Sequence, residues 1–186
     1  MRRASVETRE HVLRVAHDLF YWHGIRATGV DRVAEAAGVA PTTLYRLFAD
    51  KDELIAAYVE RADRETRAWF TAAVESAGPD PRAQILAVFD TLNERIGPDQ
   101  CRGCTFLMAL AEFPDEHVPA HRRAVASKSW VRERMGELTA RLGVDDPEAL
   151  ADQLVLIMEG VNASTQGLRG PAHQARALAE AILPPP

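Results

Sequence analysis

The sequence predicts an all-α fold of about nine helices. Three observations lead there. Leu, Ala, Glu and Arg, all good helix formers, dominate the chain. No stretch alternates apolar and polar residues with the period of two that marks a half-buried strand. Glycine and proline clusters fall between apolar runs of helical period.

The first helix is expected over roughly Val6–His23, with Val12, Leu13, Ala16, Leu19 and Phe20 on one face and Gly24 as its stop. The second opens at Thr28, whose hydroxyl is placed to cap it with Asp31 three residues on, and ends at Gly38. The third begins at Pro41, in the first-turn position proline prefers, and runs to about Phe48. Asp50-Lys51-Asp52-Glu53 gives the fourth an acidic start that suits the helix dipole, and it continues to about Ala77. After the break at Gly78-Pro79-Asp80-Pro81, five more helices follow, at roughly 81–96, 102–113, 120–142, 147–169 and 172–183. The tail Pro184-Pro185-Pro186 is expected to fray, and no internal repeat is visible.

At 186 residues with 47 % hydrophobic and 26 % charged side chains, the chain is long and apolar enough to bury a core. Its charged first residues are unlike a signal peptide, and no run approaches a membrane span, so a cytoplasmic protein without membrane association is expected. Two cysteines make no disulfide scaffold. The net charge of −5 conceals an asymmetry: residues 1–48 carry seven Arg against five acids, and the remainder carries the acidic excess. A basic head on an acidic body suits a protein that brings one end to phosphate.

Residues 29–48 read as two short helices joined by a tight turn at Gly38. Val33 and Ala37 are spaced to face Val39, Leu44 and Phe48, and small Ala34 and Ala37 let the helices approach. A helix-turn-helix needs this: glycine at the turn, small residues at the crossing and a polar outer face on the second helix. On that helix Thr42, Thr43, Tyr45 and Arg46 are free to point outward, where hydroxyls and a guanidinium reach phosphates and base edges, and the helix N-terminus at Pro41 adds amide donors. Lys51 is placed for a flanking phosphate.

The run from Thr28 to Leu54 resembles the signature of the TetR family of transcriptional regulators. The shared pattern is a threonine-led second helix, a Gly38-Val39 turn, Leu44-Tyr45 followed by Phe48, then Lys51 and Leu54 opening helix four. Ala16-His-Asp-Leu-Phe-Tyr-Trp-His-Gly24 also fits the family's first helix, and the likeness is close over roughly residues 8–58. One departure is Ala40, where the family commonly has a capping serine; alanine cannot cap, so this helix start leans on Pro41. The resemblance implies a DNA-binding domain at 1–49, a ligand-binding and dimerising helical bundle at 50–186, and a homodimer on double-stranded operator DNA. It also implies an unidentified small-molecule effector, with repression as the default and no cofactor. Thr28, Pro41, Thr42, Thr43, Tyr45, Arg46 and Lys51 are the expected DNA-contacting set. Bound effector would tilt the two heads out of register through helix four, so that effector and DNA oppose one another.

The C-terminal half is compatible with this. Leu154, Ile157, Val161, Ser164 and Leu168, among small residues including Gly160, Ala163 and Gly167, suit a close-packed four-helix dimer interface with Leu178 and Ile182. The same face also suits packing within one subunit. Trp69, Phe89, Phe106, Met108, Trp130 and Met158 are candidate walls for an apolar or aromatic effector, with Asn162 as a polar contact, although an ordinary core role suits each one taken singly better.

Cys101, Cys104, His117 and His121 match the C-x2-C-x12-H-x3-H spacing of a zinc finger. Pro119 interrupts the helix such a finger needs between its histidines, and residues 105–113 read as amphipathic helix, so no metal site is expected. Alternatively, Cys101 and Cys104 beside Arg102 make a thiol- or metal-responsive DNA-binding sensor. An enzyme is the rival from another class, with Glu112 and His117 near Cys104 as its only candidate groups. No Gly-rich phosphate loop, Gly-x-Ser-x-Gly elbow or His-Glu-x-x-His is present, and no catalytic residue is expected.

Overall fold

The computed structural model describes residues 2–96, 101–165 and 172–185, with side chains from Val6 onward. Among these residues there are nine helices and no strand. They are α1 (Arg2–His23), α2 (Val30–Ala36), α3 (Pro41–Leu47), α4 (Lys51–Ser76), α5 (Pro81–Arg95), α6 (Thr105–Glu112), α7 (Pro119–Ala140), α8 (Pro147–Ser164) and α9 (Ala175–Ile182).

The punctuation follows local chemistry. Pro41, Pro81, Pro119 and Pro147 each open a helix, where a missing N–H costs nothing. Asp80 accepts from the amides of Arg82 and Ala83 at the head of α5, and Asp146 accepts from Ala149 at the head of α8. Asp50 accepts from Glu53 N at 2.7 Å, while the Glu53 carboxylate accepts from Ala49 N at 2.7 Å, a reciprocal cap that fixes the start of α4.

The chain divides into two compact units, Met1–Asp63 with Thr105–Val125, and Arg64–Cys104 with Ala126–Pro186. In the first, α1 buries Val12, Leu13, Ala16 and Phe20, and they share an interior with Val33, Leu44, Phe48, Leu54 and Tyr58. Phe20 meets the Tyr58 ring edge-on with centroids 5.4 Å apart, and His17 stacks on Tyr21 at 5.6 Å. Full burial of each valine, leucine and phenylalanine among these contributes about 1.5–3 kcal/mol. The second unit is centred on Phe70, on Ile85, Val88 and Phe89 of α5, on Met135 of α7, and on Leu154 and Met158 of α8, with Ala175 and Ala179 of α9 closing it. Arg141 ties this unit's α5 and α7 ends together by donating to Gln84 Oε1 at 2.7 Å and Pro79 O at 2.6 Å.

Two local expectations are corrected. Thr28 does not cap α2. The N-cap is Gly29, which offers no side chain, and the Thr28 hydroxyl donates backward to Gly24 O at 2.8 Å, at the end of α1. On α8, Leu154 and Val161 face their own core, so they are not part of an exposed docking face. The expected interface residue Leu168 lies outside the described residues.

Candidate nucleic-acid interface

The α2–α3 hairpin is built by Gly38. Its φ of +64° is left-handed, which an L side chain adopts only with strain, and it lets two amides turn back onto α2. Gly38 N donates to Glu35 O and Val39 N to Ala34 O, both at 3.0 Å, satisfying the last carbonyls of α2 before the chain reverses. The inner face of the hairpin is apolar: Val33, Ala37, Leu44 and Phe48 are buried, as their spacing predicts, and Val39 is half-buried. From α1, His11 Nε2 lies 3.0 Å from Ala37 O, and the Arg9 guanidinium covers the Phe48 ring at 4.7 Å. The hairpin therefore rests on α1 through apolar, hydrogen-bonded and cation–π contacts together.

What this leaves outside is the other face of α3. Pro41, Thr42, Tyr45 and Arg46 are exposed and Thr43 half-buried. Tyr45 is 50 % exposed, unusual for so large a ring. Positions 41, 42, 45 and 46 fall on one side of a helix, so two threonine or tyrosine hydroxyls and one guanidinium project together. As anticipated, Ala40 occupies the α3 N-cap with no side-chain hydrogen bond. Lys51, at the start of α4, is half-buried and its ammonium donates to Arg26 O at 3.2 Å. An ammonium has three donors, so this bond holds it in place and leaves capacity for a phosphate. Thr28 is different: its side chain is fully buried and its hydroxyl is engaged, so it braces the loop and does not face a ligand.

One further side chain contacts this head. The carboxylate of Glu112, at the end of α6, accepts from Ile25 N at 2.9 Å and Arg26 N at 2.6 Å, in the loop between α1 and α2. No local pattern signals a contact spanning 86 residues or more.

The candidate effector residues are divided between the units. Phe89 and Met158 lie in the second unit's core, with Trp69 and Trp130 packed against it and Asn162 half-buried; Phe106 and Met108 lie in the first. Trp69, Phe70 and Trp130 form a chain of ring contacts at 5.8 and 5.5 Å, with Arg67 over Trp130 at 4.7 Å and Arg95 over Trp69 at 5.6 Å. Of the expected dimer residues, Leu178 and Ile182 of α9 are exposed and Ile157 and Ser164 of α8 half-buried. Leu156, Gly160 and Ala163 form the exposed α8 face in place of Leu154 and Val161.

Cys101 and Cys104 are half-buried, and Cys101 Sγ lies 3.8 Å from Thr165 Oγ1. They belong to the second unit and His117 and His121 to the first, and His121 Nδ1 is hydrogen-bonded to Phe113 O at 2.8 Å. No group of three or more His, Cys, Asp or Glu fit to hold a metal occurs among the described residues.

The family model for bacterial regulatory proteins of the TetR family matches residues 12–58, the stretch that builds this head. A solved TetR-family transcriptional regulator from Streptomyces coelicolor is 36 % identical with a TM-score of 0.90, over 96 % of this chain and 95 % of that one. The chain belongs to the TetR family of transcriptional regulators. The HTH-type transcriptional regulator YjdC of Escherichia coli (strain K12) is 29 % identical over 152 residues, 82 % of this chain and 80 % of YjdC. The reduced form of NemR from E. coli has a TM-score of 0.84 over 97 % of this chain and 98 % of its own; at 22 % identity that likeness speaks for the fold alone. TetR-family members are DNA-binding transcription factors and not enzymes, and they act as dimers with small-molecule effectors.

Proposed function

We propose that this TetR-family regulator is a sequence-specific repressor, released from its operator by a small apolar or aromatic effector. Division of labour follows the chain: residues 1–49 bind DNA, and residues 50–186 dimerise and take the effector. The observation that carries the DNA-binding part is the outer face of α3, where Thr42, Tyr45 and Arg46 are exposed above buried Leu44 and Phe48. Such a face enters a major groove, reading base edges with Tyr45 and Arg46 while Thr42, Thr43 and Lys51 hold phosphates.

The dimer reading rests on exposed Leu156 of α8 and Leu178 and Ile182 of α9, large apolar side chains of one unit. A two-fold pairing there covers them and presents two heads to two half-sites. The effector reading rests on the Trp69–Phe70–Trp130 ring cluster beside Phe89 and Met158. Effector and DNA then oppose one another by linkage, each lowering the affinity for the other by the same factor. Since α4 contributes residues to both units, it is the element on which we place that transmission. No helix among the described residues is long and apolar enough to cross a membrane, in keeping with a cytoplasmic regulator.

Selection of duplexes from a random-sequence pool by the purified protein tests this reading. Enrichment of one motif with two related half-sites, followed by release of that duplex by aromatic compounds but not by thiol oxidants or metal ions, is the expected result. Failure to enrich any motif contradicts the regulator, and release by thiol oxidants alone replaces the organic effector with the Cys101–Cys104 thiols.

A further inference from the structure

The loop between α1 and α2 is held from three directions within the first unit. Gly24, with φ of +93°, turns the chain out of α1, and its own amide bonds back to Phe20 O at 3.0 Å. The next two amides, Ile25 N and Arg26 N, find no helical acceptor and both point to the Glu112 carboxylate at 2.9 and 2.6 Å. Successive amides aimed at one point form an anion-binding concavity, and here the anion is a side chain of α6. The Arg26 guanidinium lies over the ring of Phe113, the residue after Glu112, at 5.2 Å. The Arg26 carbonyl accepts from Lys51, so one residue bridges α6 to the start of α4.

The far side of this clamp is fixed as well. The Phe113 carbonyl that follows Glu112 is bonded to His121 of α7, and Arg123 of α7 pairs with Glu60 of α4 at 2.8 Å. The loop that Glu112 grips leads through buried Thr28 directly into α2 and the recognition hairpin.

We propose that Glu112 is a positioning residue for DNA binding. Its carboxylate holds the α1–α2 loop, and through it sets where α2, α3 and Lys51 stand. Whatever shifts the end of α6 is thereby felt at the recognition hairpin. This rests on the regulator reading above and adds a specific residue to it.

Sign separates this role from simple charge. Removing an exposed acid from a DNA-binding protein strengthens electrostatic attraction, so Glu116→Ala, which removes an exposed acid four residues on, leaves affinity equal or tighter. Glu112→Ala removes the same charge yet is expected to weaken binding about ten-fold or more, since two charge-assisted hydrogen bonds are lost. Glu112→Gln keeps the shape and one acceptor oxygen, and is expected to fall between. Affinity for a duplex enriched by the wild-type protein is measured for all four proteins, at a temperature where circular dichroism shows each folded. Amide hydrogen exchange at Ile25 and Arg26 is measured on the free proteins. Faster exchange at those two amides together with weakened binding in both Glu112 variants is the supporting result, and Glu112→Gln carries the test if Glu112→Ala does not fold. Binding within two-fold of wild type by the folded variants, or unchanged exchange at Ile25 and Arg26, overturns the proposal and leaves the regulator reading standing. A wild-type protein that enriches no duplex overturns both.

Discussion

Leu154 is fully buried in the core of its own chain, whereas Leu156, two residues on along α8, is 69 % exposed. The two leucines face opposite ways, and only the second is available to another copy. Leu178 of α9, in the same unit, is 54 % exposed. Substituting Leu156→Glu places a charge on this face without touching the core. The expected outcome is a fall in light-scattering mass from about twice 20.5 kDa toward 20.5 kDa, with helical circular dichroism retained. A variant that keeps the dimer mass places the interface elsewhere.

Ala40 stands at the N-cap of α3 in an extended conformation with no side-chain hydrogen bond. A serine there offers an oxygen to the first-turn amides at no backbone cost. Ala40→Ser is therefore expected to stabilise the free protein by about 0.5–2 kcal/mol, read as a rise in the urea midpoint with unchanged slope. An unchanged or lower midpoint contradicts the extended N-cap geometry.

Thr28 supplies the converse case. Its buried hydroxyl satisfies Gly24 O, and valine has the shape but not the donor. Thr28→Val is expected to cost about 1–3 kcal/mol of stability by denaturant unfolding. A buried side chain makes no phosphate contact, so a loss of DNA affinity is expected only together with that loss of stability. A large affinity loss without a stability loss restores Thr28 to the contact surface.

The helices themselves were legible because their ends carry strong local chemistry: prolines at four starts, aspartates at caps, glycine at Gly38. The buried face of the hairpin was equally legible, since Val33, Ala37, Leu44 and Phe48 repeat at helical spacing. The register of α8 was not. Leu154-Val155-Leu156-Ile157-Met158 is apolar on every side, so periodicity cannot say which residues turn inward. Thr28 was misread because a threonine before a helix suits a forward cap and a backward bond to the preceding helix alike. Glu112 carried no signal, because its partners are main-chain amides brought near only by the tertiary fold.

The central claim is that the exposed face of α3 reads DNA, and fluorescence anisotropy with wild type and Tyr45→Ala on an enriched duplex tests it most directly. The account predicts tight wild-type binding that weakens steeply from low to moderate salt, as release of counterions from about six to ten phosphates requires. It predicts a loss of about 1–3 kcal/mol for Tyr45→Ala on that duplex and little change on scrambled DNA. Equal affinity of the two proteins on both duplexes would contradict it, and would place recognition somewhere other than α3.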